Sequence, residues 1–369
     1  MSALLIEYGL FLLKVLTLLA ALGIAVALVV GGIGSALSRG RGAGAGAGEG
    51  KLRIRKYNER LDDVRESLSI SLLDPAARKQ AEKDRRSRDK RERKAAKVAA
   101  KKARKQRGRG ETIAPDETRP RTFVLDFQGD IRASQVEALR REVTAILTTA
   151  TPEDEVVIRL DSGGGTVTGY GLAATQLERI RGAKVPLVVC VDQVAASGGY
   201  MMACVSDRLI AAPFAMLGSI GVVAQVPNFH RLLKEWNIDV ELLTAGKFKR
   251  TLTLFGENTD EGRAKFLQDI ERIHAQFKEH VDRYRPTLSI ERVCTGEVWC
   301  GDDVLEHGLA DALGTSDDYL TRACEERAVL LVGWREKRGL MQRFSGGVEE
   351  AVDRFAVRML DRLQRARLP

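Results

Sequence analysis

The amino-acid sequence predicts an α/β domain with a mostly parallel sheet, preceded by an N-terminal transmembrane helix. From residue 121 onward, short apolar segments alternate with helical ones, and this alternation is typical of α/β folds. The segment 185–191 (VPLVVCV) is almost continuously apolar, as expected of a strand that is covered on both faces. Residues 15–33 carry no charge, and with residues 11–13 the apolar run reaches ~20 residues, enough to span a bilayer.

The apolar run near the N-terminus has two interpretations. A cleaved signal peptide would have a shorter apolar core, a basic start and a small-residue cleavage site. Here Glu7 precedes a long run, which favours an uncleaved anchor in residues 1–37. Basic residues cluster after the run, whereas only Lys14 lies just before it. The positive-inside rule therefore places the domain that follows in the cytoplasm.

A polar region, residues 38–120, separates the anchor from the α/β domain. Residues 40–50 form a Gly/Ala linker, and residues 51–77 carry a weak helical pattern. Residues 78–109 are strongly basic and have too few large apolar side chains for a core, so we expect a solvated tether, partly helical or disordered. Attraction to anionic lipid is the alternative. Nucleic acid is not an expected partner, because no aromatic residues lie between the charges to stack on bases.

The α/β domain is expected to cover residues 121–330. The predicted strands are 122–127, 155–160, 185–191, 208–212, 221–225 and 240–244, and the predicted helices are 134–149, 169–181, 229–236 and 259–285. Residues 331–369 form a separate C-terminal segment. Apolar residues recur there at spacings of three and four, which predicts an amphipathic helix that packs on protein or on a membrane surface: Val348, Val352, Phe355, Met359 and Leu363.

Two motifs rich in small residues follow predicted strands. Gly163–Gly165 come after strand 155–160 and let backbone amides approach a ligand, although a tight turn explains them equally well. Ser197 lies between two alanines and Gly198–Gly199, after a buried strand and before an apolar helix. That setting suits a nucleophile whose developing oxyanion is bound by free amides. A plain helix N-cap is the alternative interpretation of this serine.

A nucleophilic serine needs a base. None of the four histidines of the chain lies in a pattern typical of a catalytic triad: His230, His274, His280 and His307. Lys247 and Lys249 follow a predicted strand in the segment 244–253 (TAGKFKRTLT). A lysine can act as the base if burial lowers its pKa, because removal from water disfavours the ammonium form. The five cysteines show no metal-type spacing, so we expect no metal and no other cofactor.

Long, ordered blocks of the sequence carry a family resemblance: EYGLFL, TFVLDF, GYGLAATQL, VDQVAASGGYMMACVSD, APFAMLGSIGVVAQVPNF, TAGKFKRTLTLFGENTDEGR and TGEVWCGDDVLEHGLAD. Over nearly its whole length the chain resembles the S49 family of signal peptide peptidase A-like serine proteases, and within it the SohB-type membrane peptidases. The resemblance implies a ClpP/crotonase-like core with a single catalytic repeat. It also implies a homo-oligomer that hydrolyses signal-peptide remnants or other membrane-associated peptides and proteins.

The resemblance also assigns roles to individual residues. It implies Ser197 as the nucleophile, Lys249 as the general base, Ser219 as the residue that orients the base, and the amides of Gly164 and Gly198 as the oxyanion hole. One position departs from the family pattern, because the usual proline of the S-P-G-G loop is Gly163 here. A glycine loosens the loop in the free state but removes no amide donor.

The resemblance places the protein in the bacterial inner membrane as a single-pass protein. It favours a periplasmic catalytic domain, whereas the charge distribution favours a cytoplasmic one, so the side of the membrane stays open. Two other functions compete with the peptidase. One is an acyl-CoA hydratase or thioesterase on a crotonase scaffold. The other is a catalytically silent membrane scaffold that recruits partners.

Overall fold

The computed structural model describes residues 50–107 and 119–335, and Leu52–Arg335 form one compact unit. The strands are β1 (Lys51–Lys56), β2 (Arg121–Gly129), β3 (Glu155–Ser162), β4 (Leu187–Ala196), β5 (Arg208–Ala211), β6 (Met216–Gly218), β7 (Val298–Trp299), β8 (Ala312–Leu313) and β9 (Ala328–Arg335). The helices are α1 (Tyr57–Ser71), α2 (Pro75–Arg107), α3 (Val136–Leu147), α4 (Val167–Gly182), α5 (Gly198–Ala203), α6 (His230–Glu235), α7 (Asp260–Tyr284), α8 (Ile290–Val293), α9 (Asp302–Glu306) and α10 (Ser316–Glu326).

These strands form one sheet, in the order β1-β9-β2-β3-β4-β5-β8. Strand β6 continues the sheet beside β4, and β7 pairs with β6. The pairs formed by β2, β3, β4 and β5 are all parallel, whereas β6 and β7 are antiparallel. The predicted α/β class with a mostly parallel sheet is therefore confirmed, and the carboxyl ends of β3 and β4 meet at one edge.

Both faces of the sheet are covered, which explains why its central strands are apolar throughout. Side chains point alternately to the two faces of a strand. Ile158 and Val189 therefore belong to a large cluster with α3, α4 and α5, while Val157 and Val188 belong to a smaller one with α10. The resulting layers hold the ends of β3 and β4 rigidly, because a packed interior resists displacement.

The basic tether is helical as far as Arg107, in α2, and pairs with α1. Arg85 makes ion pairs with Asp63 and Glu66, both at 3.5 Å, and Arg88 pairs with Glu66. Exposed pairs of this kind contribute ~0–1 kcal/mol each. Helix α1 is also tied to the sheet, because the Asn58 amide accepts a hydrogen bond from Val329 N at 2.8 Å and donates to carbonyls at the end of α10.

Most of the predicted elements of the α/β domain are confirmed to within a few residues, but two predicted strands are wrong. Residues 221–225 and 240–244 form no strand, and the chain from 222 to 259 lies off the sheet with α6 as its only helix. A strand needs a neighbour that accepts and donates its backbone hydrogen bonds. Apolar composition alone predicted these two segments as strands, and none of their apolar side chains is buried.

Several predictions fall outside the described residues. The anchor of residues 1–37, most of the linker 40–50 and residues 336–369 of the predicted C-terminal amphipathic helix, 331–369, belong to this group. Within residues 50–107 and 119–335, no helix is long and apolar enough to cross a membrane. The predicted boundary at residue 330 falls inside β9, which pairs with β2 and continues to Arg335. Residues 331–335 are therefore strand, and the prediction of a helix is wrong for them.

Candidate active site

Ser197 lies at the turn where β4 ends and α5 begins. Its backbone has φ 52° and ψ −118°, a conformation that costs a non-glycine residue on the order of 1–3 kcal/mol. The turn is held by the Ser197 amide, which donates to Gly218 O at 2.8 Å. The side chain makes no capping hydrogen bond to the helix. The N-cap interpretation is therefore not supported, and the hydroxyl of this half-buried residue is available for chemistry.

The glycine loop, residues 163–165, lies directly against this turn. Gly164 has φ 89°, which favours glycine, and a Cβ built there would lie 2.7 Å from Ser197 Cβ and 2.8 Å from Gly198 N. A side chain at this position would collide with the nucleophile turn. The packing of β3 beside β4 thus brings Gly164, Ser197 and Gly198 together.

The amides around Ser197 differ in their availability. Gly164 N donates to Ser162 Oγ at 3.1 Å and is engaged inside the loop. Gly165 N has no acceptor among the residues that the structure describes. Gly198 N belongs to the first turn of α5, where amides have no partner within the helix. Donors for an oxyanion are therefore present on both sides of Ser197.

Ser219 follows β6, the strand beside the end of β4. The register pairs Ala196 with Gly218, so Ser197 and Ser219 come directly after paired residues. The Ser219 amide donates to Glu297 O at 2.5 Å, and its φ is 51°. The structure therefore places this predicted base-orienting serine next to the nucleophile turn.

Lys249 is the one predicted site residue that the structure does not join to the others. Its side chain is exposed, and its Nζ makes no hydrogen bond or ion pair within residues 50–107 and 119–335. Its neighbour Lys247 forms an ion pair with Glu261 at 2.6 Å. Both lysines belong to the segment 222–259, which lies off the sheet.

No histidine takes the place of the base in the described part of the chain. His280 is held by Met201 O, 2.9 Å from its Nε2, and burial lowers the pKa of its imidazole although this contact opposes the effect. His307 packs against Trp299, and His274 lies in α7. His230 lies in α6. Within the described residues none of the four imidazoles hydrogen-bonds to Ser197, so the structure shows no triad.

The sequence reasoning missed two residues beneath the site, Ser162 and Tyr170. Ser162 Oγ lies 2.5 Å from Tyr170 Oη, which donates to Asp130 O at 2.8 Å. Both side chains are almost completely buried. Their positions gave a weak signal in the sequence, because Ser162 precedes the glycine run and Tyr170 lies in the segment GYGLAATQL.

Comparison with known proteins identifies the family of this chain. Two family models match, "Peptidase family S49 N-terminal" over residues 3–177 and "Peptidase family S49" over residues 179–330. The chain belongs to peptidase family S49, and it is a protease of that family.

Two named relatives agree with this assignment. The chain is 48% identical to "Probable protease SohB" of Haemophilus influenzae over 271 residues, 73% of this chain and 76% of that one. It is 51% identical to "Probable protease SohB" of Buchnera aphidicola over 226 residues, 61% of this chain and 67% of that one. A solved structure, a mutant of the 1510-N membrane-bound stomatin-specific protease, aligns at a TM-score of 0.35 with 12% identity, over 56% of this chain and 85% of that one.

Proposed function

We propose that this protease is a serine endopeptidase in which Ser197 is the nucleophile. The observation that carries the proposal is the backbone of Ser197 at the strand-to-helix turn, with a positive φ and a side chain that caps nothing. A strained turn of this kind exposes a nucleophile above a sheet. The glycine loop faces it at contact distance, as an oxyanion hole requires.

In the proposed reaction, Ser197 Oγ forms a bond to the carbonyl carbon of the substrate while its proton moves to neutral Lys249 Nζ. Amides of the glycine loop and Gly198 bind the oxyanion. The tetrahedral intermediate formed in this way then collapses. The C–N bond breaks, and the proton passes from Lys249 to the leaving amine. Water then attacks the carbonyl carbon of the resulting ester and gives a proton to Lys249. The C–O bond to Ser197 breaks and releases the second product as an acid, and Lys249 returns the proton to Ser197 Oγ, so both residues are regenerated.

The proposed oxyanion hole has two versions. In one, the Gly164 amide leaves Ser162 Oγ when the oxyanion forms, since a hydrogen bond to a charged acceptor is roughly twice as strong as a neutral one. In the other, the Gly165 amide, which has no acceptor among the described residues, takes the role. Gly198 supplies the second donor in both versions.

We further propose that the active enzyme is a homo-oligomer. Twelve of the twenty-six exposed large apolar side chains in the described residues lie in the segment 222–259, including Val223, Trp236 and Leu243. An apolar surface of this extent favours association with another protein surface. Lysine in contact with water is an ammonium ion at neutral pH, so a neighbouring subunit that covers this segment would also help Lys249 to become a base. Ser219 would orient it.

We also propose a fold type, a cellular location and a class of substrate for this protease. The parallel sheet with a nucleophile at the start of α5 supports a single ClpP/crotonase-like repeat. The uncharged run of residues 15–33 supports a single-pass anchor in the bacterial inner membrane. An anchored protease reaches membrane-associated peptides first, so signal-peptide remnants and other membrane-associated peptides are the proposed substrates.

The test uses the full chain in detergent, a quenched fluorescent peptide derived from a signal sequence, and a serine-reactive fluorophosphonate probe. Ser197→Ala is expected to reduce both cleavage and labelling to background. Ser69→Ala, at an exposed position of α1, is the matched control and should behave as the unchanged protein. Metal chelators should leave the rate unchanged. Cleavage that persists in Ser197→Ala would refute the proposed nucleophile.

A further inference from the structure

We propose that Ser162 and Tyr170 are positioning residues that fix the glycine loop 163–165 relative to Ser197. The inference rests on the proposed serine mechanism and adds two side chains to it. Neither side chain is open to solvent, because Ser162 is 2% exposed and Tyr170 is fully buried. They contact the glycine loop and the start of α5 from the buried side.

A chain of hydrogen bonds runs from the loop into the core, and proton counting gives its direction. Tyr170 has one hydroxyl proton, which it donates to Asp130 O at 2.8 Å. The 2.5 Å contact between Tyr170 Oη and Ser162 Oγ then uses the proton of Ser162, whose other acceptor, Gly129 O, lies farther away at 3.5 Å. Ser162 Oγ in turn accepts the Gly164 N–H at 3.1 Å. A hydroxyl that donates becomes a better acceptor, so the chain strengthens the hold on Gly164.

The same two residues also support the nucleophile turn. A Cβ built on Gly198 would lie 2.4 Å from Tyr170 Cγ, so the ring lies directly under the start of α5. A Cβ on Gly199 would lie 2.5 Å from Ser162 O. One buried pair therefore contacts both halves of the site, the loop through a hydroxyl and the turn through a ring and a carbonyl.

This arrangement matters for catalysis because an oxyanion hole works only when its donors are already in place. Losing one such donor costs about 10²–10³-fold in rate, and a misplacement of about 1 Å can cost 10²-fold. In the version where Gly165 N binds the oxyanion, only the φ and ψ of Gly164 lie between the peptide group that Ser162 holds and the Gly165 amide, so fixing the first group restricts the direction of the second. In the version where Gly164 N binds the oxyanion, that amide must leave Ser162 Oγ, and Ser162→Ala would not lower kcat.

The test compares two tyrosine hydroxyls that bind opposite ends of β3. Tyr170 reaches Ser162, the last residue of that strand, whereas Tyr319 donates to Glu155, the first, at 2.9 Å. Tyr170→Phe, Ser162→Ala and the control Tyr319→Phe are made in the full chain. For each, kcat and KM for the fluorescent peptide are measured at a temperature where melting curves report full folding.

We expect Ser162→Ala to lower kcat about 10-fold or more and Tyr170→Phe to lower it by a smaller factor, each with KM changed less than about 2-fold. Tyr319→Phe should keep kcat. Equal kcat losses in Tyr170→Phe and Tyr319→Phe, losses found only in KM, or an unchanged Ser162→Ala would each overturn the inference. Should Ser162→Ala be fully active while Ser197→Ala is dead, only this inference fails. An active Ser197→Ala would instead refute the proposed function.

Discussion

Two adjoining regions of this protease are built in opposite ways. In residues 121–220 the strands and helices bury most of their apolar side chains, and Leu160, close to the glycine loop, is 1% exposed. In residues 222–259 no apolar side chain is buried, and Leu243 is 89% exposed. The first region carries Ser197 and Ser219, and the second carries Lys249.

The difference indicates how the two halves of the proposed site become ordered. The sheet positions the nucleophile with its own core, so that half needs nothing outside the chain. The segment 222–259 leaves apolar surface in water, which is unfavourable by roughly 25 cal/mol per Å². We infer that the surface of a neighbouring subunit covers the segment 222–259 and so completes the part of the site that carries the base. Folding should then depend on the first region, and activity on both.

Replacing one leucine in each region tests this division most strongly. Leu160→Ala should lower the free energy of unfolding by about 2–5 kcal/mol, because it leaves a cavity in a packed core. Leu243→Ala should change it by less than ~0.5 kcal/mol when measured at a dilution where light scattering reports a monomer. Similar losses in chemical denaturation of the two variants would remove the contrast between the regions.

Ser219 belongs to the ordered region, and its proposed role is chemical rather than structural. Ser219→Ala should lower kcat about 10- to 100-fold, since the residue orients the base and does not itself react. The melting temperature and the oligomer mass should stay close to those of the unchanged protein. A full retention of kcat would show that Lys249 is oriented by some other group.

A charge placed on the exposed segment tests the proposed assembly. Leu243→Asp should shift the light-scattering mass of the full chain in detergent towards the monomer and lower activity about tenfold, because a buried unpaired carboxylate disfavours association. Leu72→Asp changes a leucine of similar exposure that lies outside the segment, and should alter neither quantity. If both variants keep the mass of the unchanged protein, this surface is not the interface.

The ion pairs of the two regions should also differ in how much they stabilise the fold. Burial raises the pKa of the Asp154 carboxyl, but hydrogen bonds from Arg121 and from backbone amides outweigh this and lower it to about 2. A lowered folded-state pKa stabilises the fold above the ordinary value near 4, and this contribution is lost as the pH falls towards 2. Lys247 and Glu261 are both well exposed, and such a pair contributes ~0–1 kcal/mol.

Asp154→Asn should therefore destabilise the protein at pH 7 by roughly 1–2 kcal/mol, and this difference should shrink below about pH 4. Glu261→Gln should have little effect at any pH. Urea unfolding at pH 7 and pH 3 measures both. A destabilisation by Asp154→Asn that is the same at the two pH values would mean that the carboxylate charge is not its source.

The sequence predicted the ordered region well because its signals are local. Buried strands such as 185–191 are recognisable from continuous apolar residues, and Ser197 from the small residues around it. The segment 222–259 was mispredicted as containing strands for a physical reason. Apolar residues that would cover a partner surface have the same composition as residues that would join a sheet, and the sequence alone does not distinguish the two.

The supporting contacts of the site could not be predicted from local patterns either. Tyr170 Oη reaches Asp130 O, forty residues earlier in the chain, and the register of β3 and β4 sets the distance between Gly164 and Ser197. The engagement of the Gly164 amide by Ser162 depends on the direction of one peptide group. Such directions arise from packing, which sequence spacing does not encode.

The most direct test of the proposed dyad is a pair of lysine-to-arginine changes two residues apart. Lys249→Arg keeps the positive charge but cannot give up its proton, so activity should fall by at least about 100-fold. Lys247→Arg, which can keep its ion pair with Glu261, should stay active. The measurement is kcat/KM for the fluorescent peptide in the full chain, with oligomer mass checked for each variant. Near-full activity in Lys249→Arg, together with a histidine whose replacement abolishes cleavage, would contradict the account.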